Sequence, residues 1–70
     1  MENYSLVTRF VSIREVCAMT SISRTALWKK IKEGSFPKPL LIGDGVRKAF
    51  VLSEVERWMQ SRIEARDKAA

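Results

Sequence analysis

A chain of 70 residues makes one small domain, and at this length folding buries only about 60% of the unfolded surface, which leaves a thin core and little room for an enclosed active site. Hydrophobic residues at 46% and charged residues at 30% suit a globular fold rather than a disordered segment; no apolar run approaches the roughly 20 residues that cross a bilayer, and "MENYSLVTRF" is not a basic-then-apolar secretion signal. With a single cysteine, Cys17, and no histidine, no internal disulfide, no protein-built zinc site and no imidazole catalysis are expected, so the chain is read as cytoplasmic, cofactor-free and not an enzyme.

The net charge of +5 is unevenly placed. Residues 1–22 balance Arg9 and Arg14 against Glu2 and Glu15. Residues 52–70 balance Arg57, Arg62, Arg66 and Lys68 against Glu54, Glu56, Glu64 and Asp67. The middle carries the whole excess, with Arg24, Lys29, Lys30, Lys32, Lys38, Arg47 and Lys48 against only Glu33 and Asp44. A basic centre between neutral ends is the electrostatic footprint of a surface that binds a polyanion.

In chain order, the first six or so residues show no pattern and are expected to fray. "SIRE" at Ser12 is a capping box, in which the Ser12 hydroxyl accepts from the Glu15 N–H and the Glu15 carboxylate reaches back. It opens a helix of about two turns, ending near Met19, with Ile13, Val16 and Cys17 on one face. Phe10 and Val11 stand just before the cap as a hydrophobic staple. "TSIS" is a tight connection. Ser23 caps a second helix whose buried stripe is Leu27 and Ile31, flanked by Ala26; Gly34 ends it and Pro37 prevents its continuation.

"KPLLIGDGVRKAFV" follows as a hairpin. "PLLI" and "RKAFV" have strand character, the glycine turn at Gly43 supplies positive φ, and Pro39 belongs at an edge or a strand start. "SEVE" at Ser53 is a second capping box. It opens a helix with an apolar stripe of Val55, Trp58, Met59 and Ile63, followed by a polar end. The order helix, tight turn, basic helix, hairpin, helix is α+β, mostly α: a single small winged helix-turn-helix spanning residues 1–70, with an ordered core over about residues 8–66.

On a helical wheel of the second helix, Thr25, Lys29 and Lys32 lie opposite the buried stripe, with Arg24 and Trp28 on one border and Ser23 and Lys30 toward the other. The first turn of such a helix enters the DNA major groove. Arg24 is placed to read a guanine edge or grip a phosphate, and Thr25 to bond a phosphate or touch a thymine methyl. Lys29 and Lys32 are phosphate binders, whereas Lys30 reads as a solvated charge. Trp28 faces DNA or packs against the wing. Ser23 is a cap with a phosphate contact as a second role. Arg47 and Lys48 follow the glycine turn; adjacent strand residues point to opposite faces, so one of the two reaches the duplex, or both serve as charges that protect a sheet edge. Trp58, Met59, Ile63 and Cys17 read as core.

Residues 21–62, "SISRTALWKKIKEGSFPKPLLIGDGVRKAFVLSEVERWMQSR", resemble the AlpA family of phage and mobile-element regulators, related to excisionases and to the winged DNA-binding domains of the MerR group. The likeness is carried by Ser23, Arg24, Leu27, Trp28, Glu33, Gly34, Phe36, Pro37, Pro39, Gly43, Arg47, Phe50, Ser53, Glu54, Val55 and Trp58. With "FVSIREVCAMT" as the first helix it covers about residues 10–65. The chain departs from the family's usual residues at Trp28 (more usually tyrosine), at Phe50 (more usually tryptophan) and before Ser23, where a glycine is usual and Thr20 or Ser21 stands here. The resemblance implies sequence-specific binding of double-stranded DNA, at promoters or attachment-site repeats. It implies either a transcriptional regulator, such as an activator of an integrase gene, or an excisionase-type recombination directionality factor. Integrase, and further copies of the chain in cooperative arrays on DNA, are the implied partners, and the nucleoid is the implied location.

Other function classes are less well served. A protein-protein adaptor using the C-terminal helix and Trp58 is the alternative to DNA binding. An RNA binder would show a paired-aromatic strand motif or a GXXG loop, and neither is present. An enzyme would need a catalytic constellation that these residues do not assemble.

Overall fold

The structure, a computed structural model, describes residues 9–69. Its elements are β1 (Phe10–Val11), α1 (Ile13–Thr20), α2 (Arg24–Glu33), β2 (Leu40–Leu41), β3 (Lys48–Val51) and α3 (Leu52–Ala69). This is the expected α+β, mostly helical winged helix-turn-helix. The expectation that the first residues fray falls outside the described residues.

Each helix boundary has a local cause. The Glu15 N–H donates to Ser12 Oγ at 3.1 Å, and the Ser12 N–H donates to Glu15 Oε1 at 2.8 Å, so the capping box is complete. That backbone bond, helped by Arg9 at 3.4 Å, holds the Glu15 carboxyl below its ordinary pKa. At the other end of α1, Ser21 takes a left-handed backbone with φ 60° and donates its N–H to the Cys17 carbonyl at 2.8 Å. A Cβ in this conformation costs about 1–2 kcal/mol, a penalty glycine escapes. Ser21→Gly should therefore raise stability by about 0.5–1 kcal/mol once glycine's larger unfolded-state entropy is subtracted. Urea unfolding measures this; a lower midpoint would mean that the serine has a compensating role.

Ser23 caps α2 by accepting from the Ala26 N–H at 3.2 Å. Gly34, at φ 85°, closes it with paired bonds from the Gly34 N–H to the Ile31 carbonyl (3.1 Å) and from the Ser35 N–H to the Lys30 carbonyl (2.9 Å). This Schellman arrangement needs a left-handed residue at Gly34. The chain then turns through Phe36 and Pro37 into the hairpin.

The sheet has three antiparallel strands in the order β1-β3-β2. Leu40 faces Ala49 and Leu41 faces Lys48; the connecting loop is closed by the Ile42 N–H donating to the Arg47 carbonyl at 3.0 Å, with Gly43 at φ 73°. Pro39 sits immediately before an edge strand, where its missing N–H is tolerated. The third strand is a finding the sequence did not suggest. Phe10 and Val11, expected as a staple, pair with Val51 and Phe50, because the first helix must pack back over the hairpin and its entry segment is thereby laid along β3.

The core joins Val11, Val16, Leu27, Phe36, Phe50 and Val55, one or two residues from each side of the fold. Ile31, Trp28, Cys17, Trp58 and Met59 pack around it, partly buried. An aromatic row runs through it. Trp28 lies 6.3 Å from Phe50, Phe50 6.0 Å from Phe36 and Phe36 4.8 Å from Trp58, in the tilted and edge-on geometries that the ring quadrupoles favour. The Trp58 indole N–H donates to the Ser35 carbonyl at 2.7 Å, tying α3 to the turn that ends α2.

Two expectations for α3 are corrected. The helix starts at Leu52 directly from β3, so Ser53, expected as its cap, is its second residue; the sheet hydrogen bond from the Leu52 N–H to the Arg9 carbonyl at 2.9 Å carries the strand straight into the helix. Ile63 was expected in the core but is 44% exposed, and every residue from 60 to 69 is exposed. A compact body this small has no surface left for the fourth turn of α3 to cover.

Candidate nucleic-acid interface

The second helix presents the side chains as its spacing requires. Leu27 is fully buried and Ile31 half-buried, while Arg24, Thr25, Lys29 and Lys32 are exposed. Among the described residues none of these four side chains has a hydrogen bond, an ion pair or a ring contact; the described ion pairs are Arg9–Glu15 and Arg66–Asp67. The helix thus offers three cations and a hydroxyl with no internal demand on them. Desolvating them against a polyanion breaks no existing bond. Ser23 is exposed; its hydroxyl oxygen is used as the cap, which leaves the O–H free to donate outward. Lys30 is half-buried, its carbonyl serving the Schellman turn and the Ser35 hydroxyl, which donates to it at 3.2 Å.

Trp28 is half-buried against the core. The sequence left it between a DNA-facing residue and a packing residue; in the structure one part of the ring meets Phe50, and the Lys48 ammonium sits over it, 5.3 Å from the ring centroid. A cation over an indole face is worth about 0.5–1 kcal/mol at an exposed site. Its larger effect is positional. Lys48 belongs to the wing and Trp28 to α2, so the contact brings the wing's ammonium alongside the helix. Trp28 lies one turn from both Arg24 and Lys32 on that helix, so Lys48 joins their edge of the surface.

Arg47 stands one residue before β3. It lines, with Phe10, Ser12, Glu15 and Ile42, a shallow depression beside β1 that Lys48 also borders. Arg47 thus precedes the strand rather than lying in it, so strand alternation does not separate the two wing cations, and both border this depression. Lys48 is the one set beside α2. Arg47 is exposed.

A second concavity lies between the two helices of the helix-turn-helix. It is an open notch of about 440 Å³ lined by Arg14, Cys17 and Arg24. The balanced charge of the N-terminal third of the chain conceals Arg14. Its signal in the sequence was spacing: Arg14 is three residues before Cys17, hence on the same face of α1. Cys17, expected as core, is half-buried with its side chain at this notch.

No group of histidine, cysteine or acidic side chains among the described residues could hold a metal ion, and none of the described helices is long and apolar enough to cross a membrane.

Similarity to known proteins agrees with this architecture. The family described as prophage CP4-57 regulatory protein (AlpA) matches residues 9–63, which is nearly everything from β1 through the supported part of α3. An uncharacterized protein of Enterobacteria phage P4, ORF88, is 36% identical over 58 residues, covering 83% of this chain and 65% of the phage protein. No solved structure matches. The matched span contains both helices of the helix-turn-helix, the wing and every residue of the buried core, and the chain belongs to the AlpA family of prophage regulatory proteins.

Proposed function

We propose that this protein binds specific sites in double-stranded DNA, with α2 in the major groove and the β2–β3 wing on the adjacent backbone, and that it thereby regulates transcription or recombination of a mobile element. The observation that carries this reading is the outward face of α2: Arg24, Thr25, Lys29 and Lys32 exposed and unpaired among the described residues, with Lys48 brought beside them over Trp28. Thr25, in the first turn, contacts a base edge or a phosphate; Lys29, Lys32 and Lys48 neutralise phosphates. Trp28 acts mainly by holding Lys48 in place, and the Ser23 hydroxyl donates to the backbone. Arg47 contacts a phosphate beyond the wing. Each phosphate neutralised adds about 0.9 to the slope of log affinity against log salt.

Two roles fit this binding mode: activator of an integrase or other mobile-element gene, and excisionase acting at attachment sites, with further copies of the chain bound alongside and integrase as a partner. A footprint of the purified protein on DNA from its own locus, at two salt concentrations, separates them. Protection of adjacent repeats within an attachment site identifies the excisionase role. Protection confined to a region upstream of a promoter identifies the activator role. Absence of any salt-sensitive protection would defeat the DNA-binding reading and favour the adaptor alternative, for which the exposed last turns of α3 are the available surface.

A further inference from the structure

Arg14 and Arg24 come from different helices, yet they line one notch together with Cys17 of α1. Neither arginine has a hydrogen bond or an ion pair among the described residues. The nearest acid in sequence, Glu15, is occupied elsewhere, accepting from the Ser12 N–H at 2.8 Å and facing Arg9 at 3.4 Å. No carboxylate lines the notch. Two guanidinium groups sharing a concavity without a counter-charge repel one another unless an anion enters. Guanidinium also matches the geometry of a phosphate oxyanion better than ammonium does, since its planar fork offers parallel N–H donors.

From this geometry we infer that the α1–α2 notch is a binding site for a single backbone phosphodiester, gripped from both sides by Arg14 and Arg24. The inference rests on the DNA-binding reading and refines it. It adds a contact from α1, assigns Arg24 to the backbone rather than to a base edge, and gives the recognition helix a fixed point at its first turn. Phosphate contacts set register without reading sequence, so this site determines how deeply and at what angle Thr25 and Lys29 are presented to the groove.

Because Cys17 is the chain's single cysteine and sits at the notch, it reports occupancy directly. The experiment has two parts, both on the full chain with a footprinted duplex. First, the rate of Cys17 alkylation by iodoacetamide is measured free and with saturating DNA; a phosphate between the arginines covers the thiol and slows the reaction several-fold. Second, affinity is measured across salt for Arg14→Ala, Arg24→Ala and the double variant, all checked for an unchanged unfolding midpoint. One shared phosphate predicts that the double variant loses about 5–10-fold in affinity at 0.1 M salt and that its salt slope falls by about one, not two. Each single variant falls short of that loss.

A slope decrease of two would mean separate phosphates and would overturn the shared site. Unchanged affinity for Arg14→Ala, together with full-rate alkylation of Cys17 in the complex, would also overturn it while the footprint, and so the DNA-binding reading, stands. A parent protein with no footprint would instead remove that reading, and this inference with it.

Discussion

Phe50→Ala should abolish or nearly abolish the folded state. Phe50 is 1% exposed. Its ring touches Trp28 on one side and Phe36 on the other, and its backbone pairs with Val11 across the sheet. It is where the wing, α2 and the loop after it meet. Removing a buried phenyl ring costs about 3–5 kcal/mol through lost transfer energy and the cavity left behind. A domain of this length holds only about 4–10 kcal/mol in total, so the variant keeps little or none of its stability. Thermal and urea unfolding followed by circular dichroism, with Leu41→Ala as a control, tests this. Leu41 is 59% exposed on the edge strand, and its truncation should stay within about 0.5 kcal/mol of the parent. Equal midpoints for Phe50→Ala and the parent would mean that the core is not centred on this ring.

The second large effect is on binding. Replacing Lys29, Lys32 and Lys48 together by glutamine should lower affinity for any duplex by on the order of 10²-fold at 0.1 M salt and flatten the salt slope by about 2.7, as expected for three phosphates at about 0.9 each. The ratio between a footprinted site and a scrambled one should be nearly unchanged, since these ammonium groups carry no base information. The fold should be unchanged too, apart from the small loss of the Lys48–Trp28 contact, because all three side chains are exposed. Fluorescence anisotropy titrations over a salt series give both quantities. A slope equal to the parent's would show that the outward face of α2 is not on the backbone, whatever the affinity. A collapse of the site ratio would show instead that one of the lysines reads bases.

These two results would probe different layers of the same design. The core residues are few, and no element contributes more than two, so stability is concentrated in a short aromatic row. The proposed binding surface is spread over exposed cations that contribute almost nothing to folding. The two can therefore be altered nearly independently, except at Trp28, whose ring takes part in both.

Much of this was written locally in the sequence. Ser12 with Glu15, Ser23, Gly34 and Gly43 set the ends of α1 and α2 and the turn of the wing through bonds that span only a few residues, and such bonds form in any context that permits a helix or hairpin there. The exposure of Thr25, Lys29 and Lys32 followed from the 3.6-residue period once Leu27 and Ile31 were recognised as the buried stripe. What only the tertiary structure decided depends on contacts between distant residues. Phe10–Val11 became a strand because β3 offered it an unpaired edge, and two residues carry no period to announce that. Ile63 kept the right spacing for the core, but the body ends before reaching it. Trp28 could not be assigned until Phe50 and Lys48, some twenty residues on, closed around its ring. Arg14 looked like part of a balanced terminus until the packing of α1 on α2 set it opposite Arg24. Local hydrogen bonding determines which elements form and which faces they show; only the way those faces meet determines which side chains share a site.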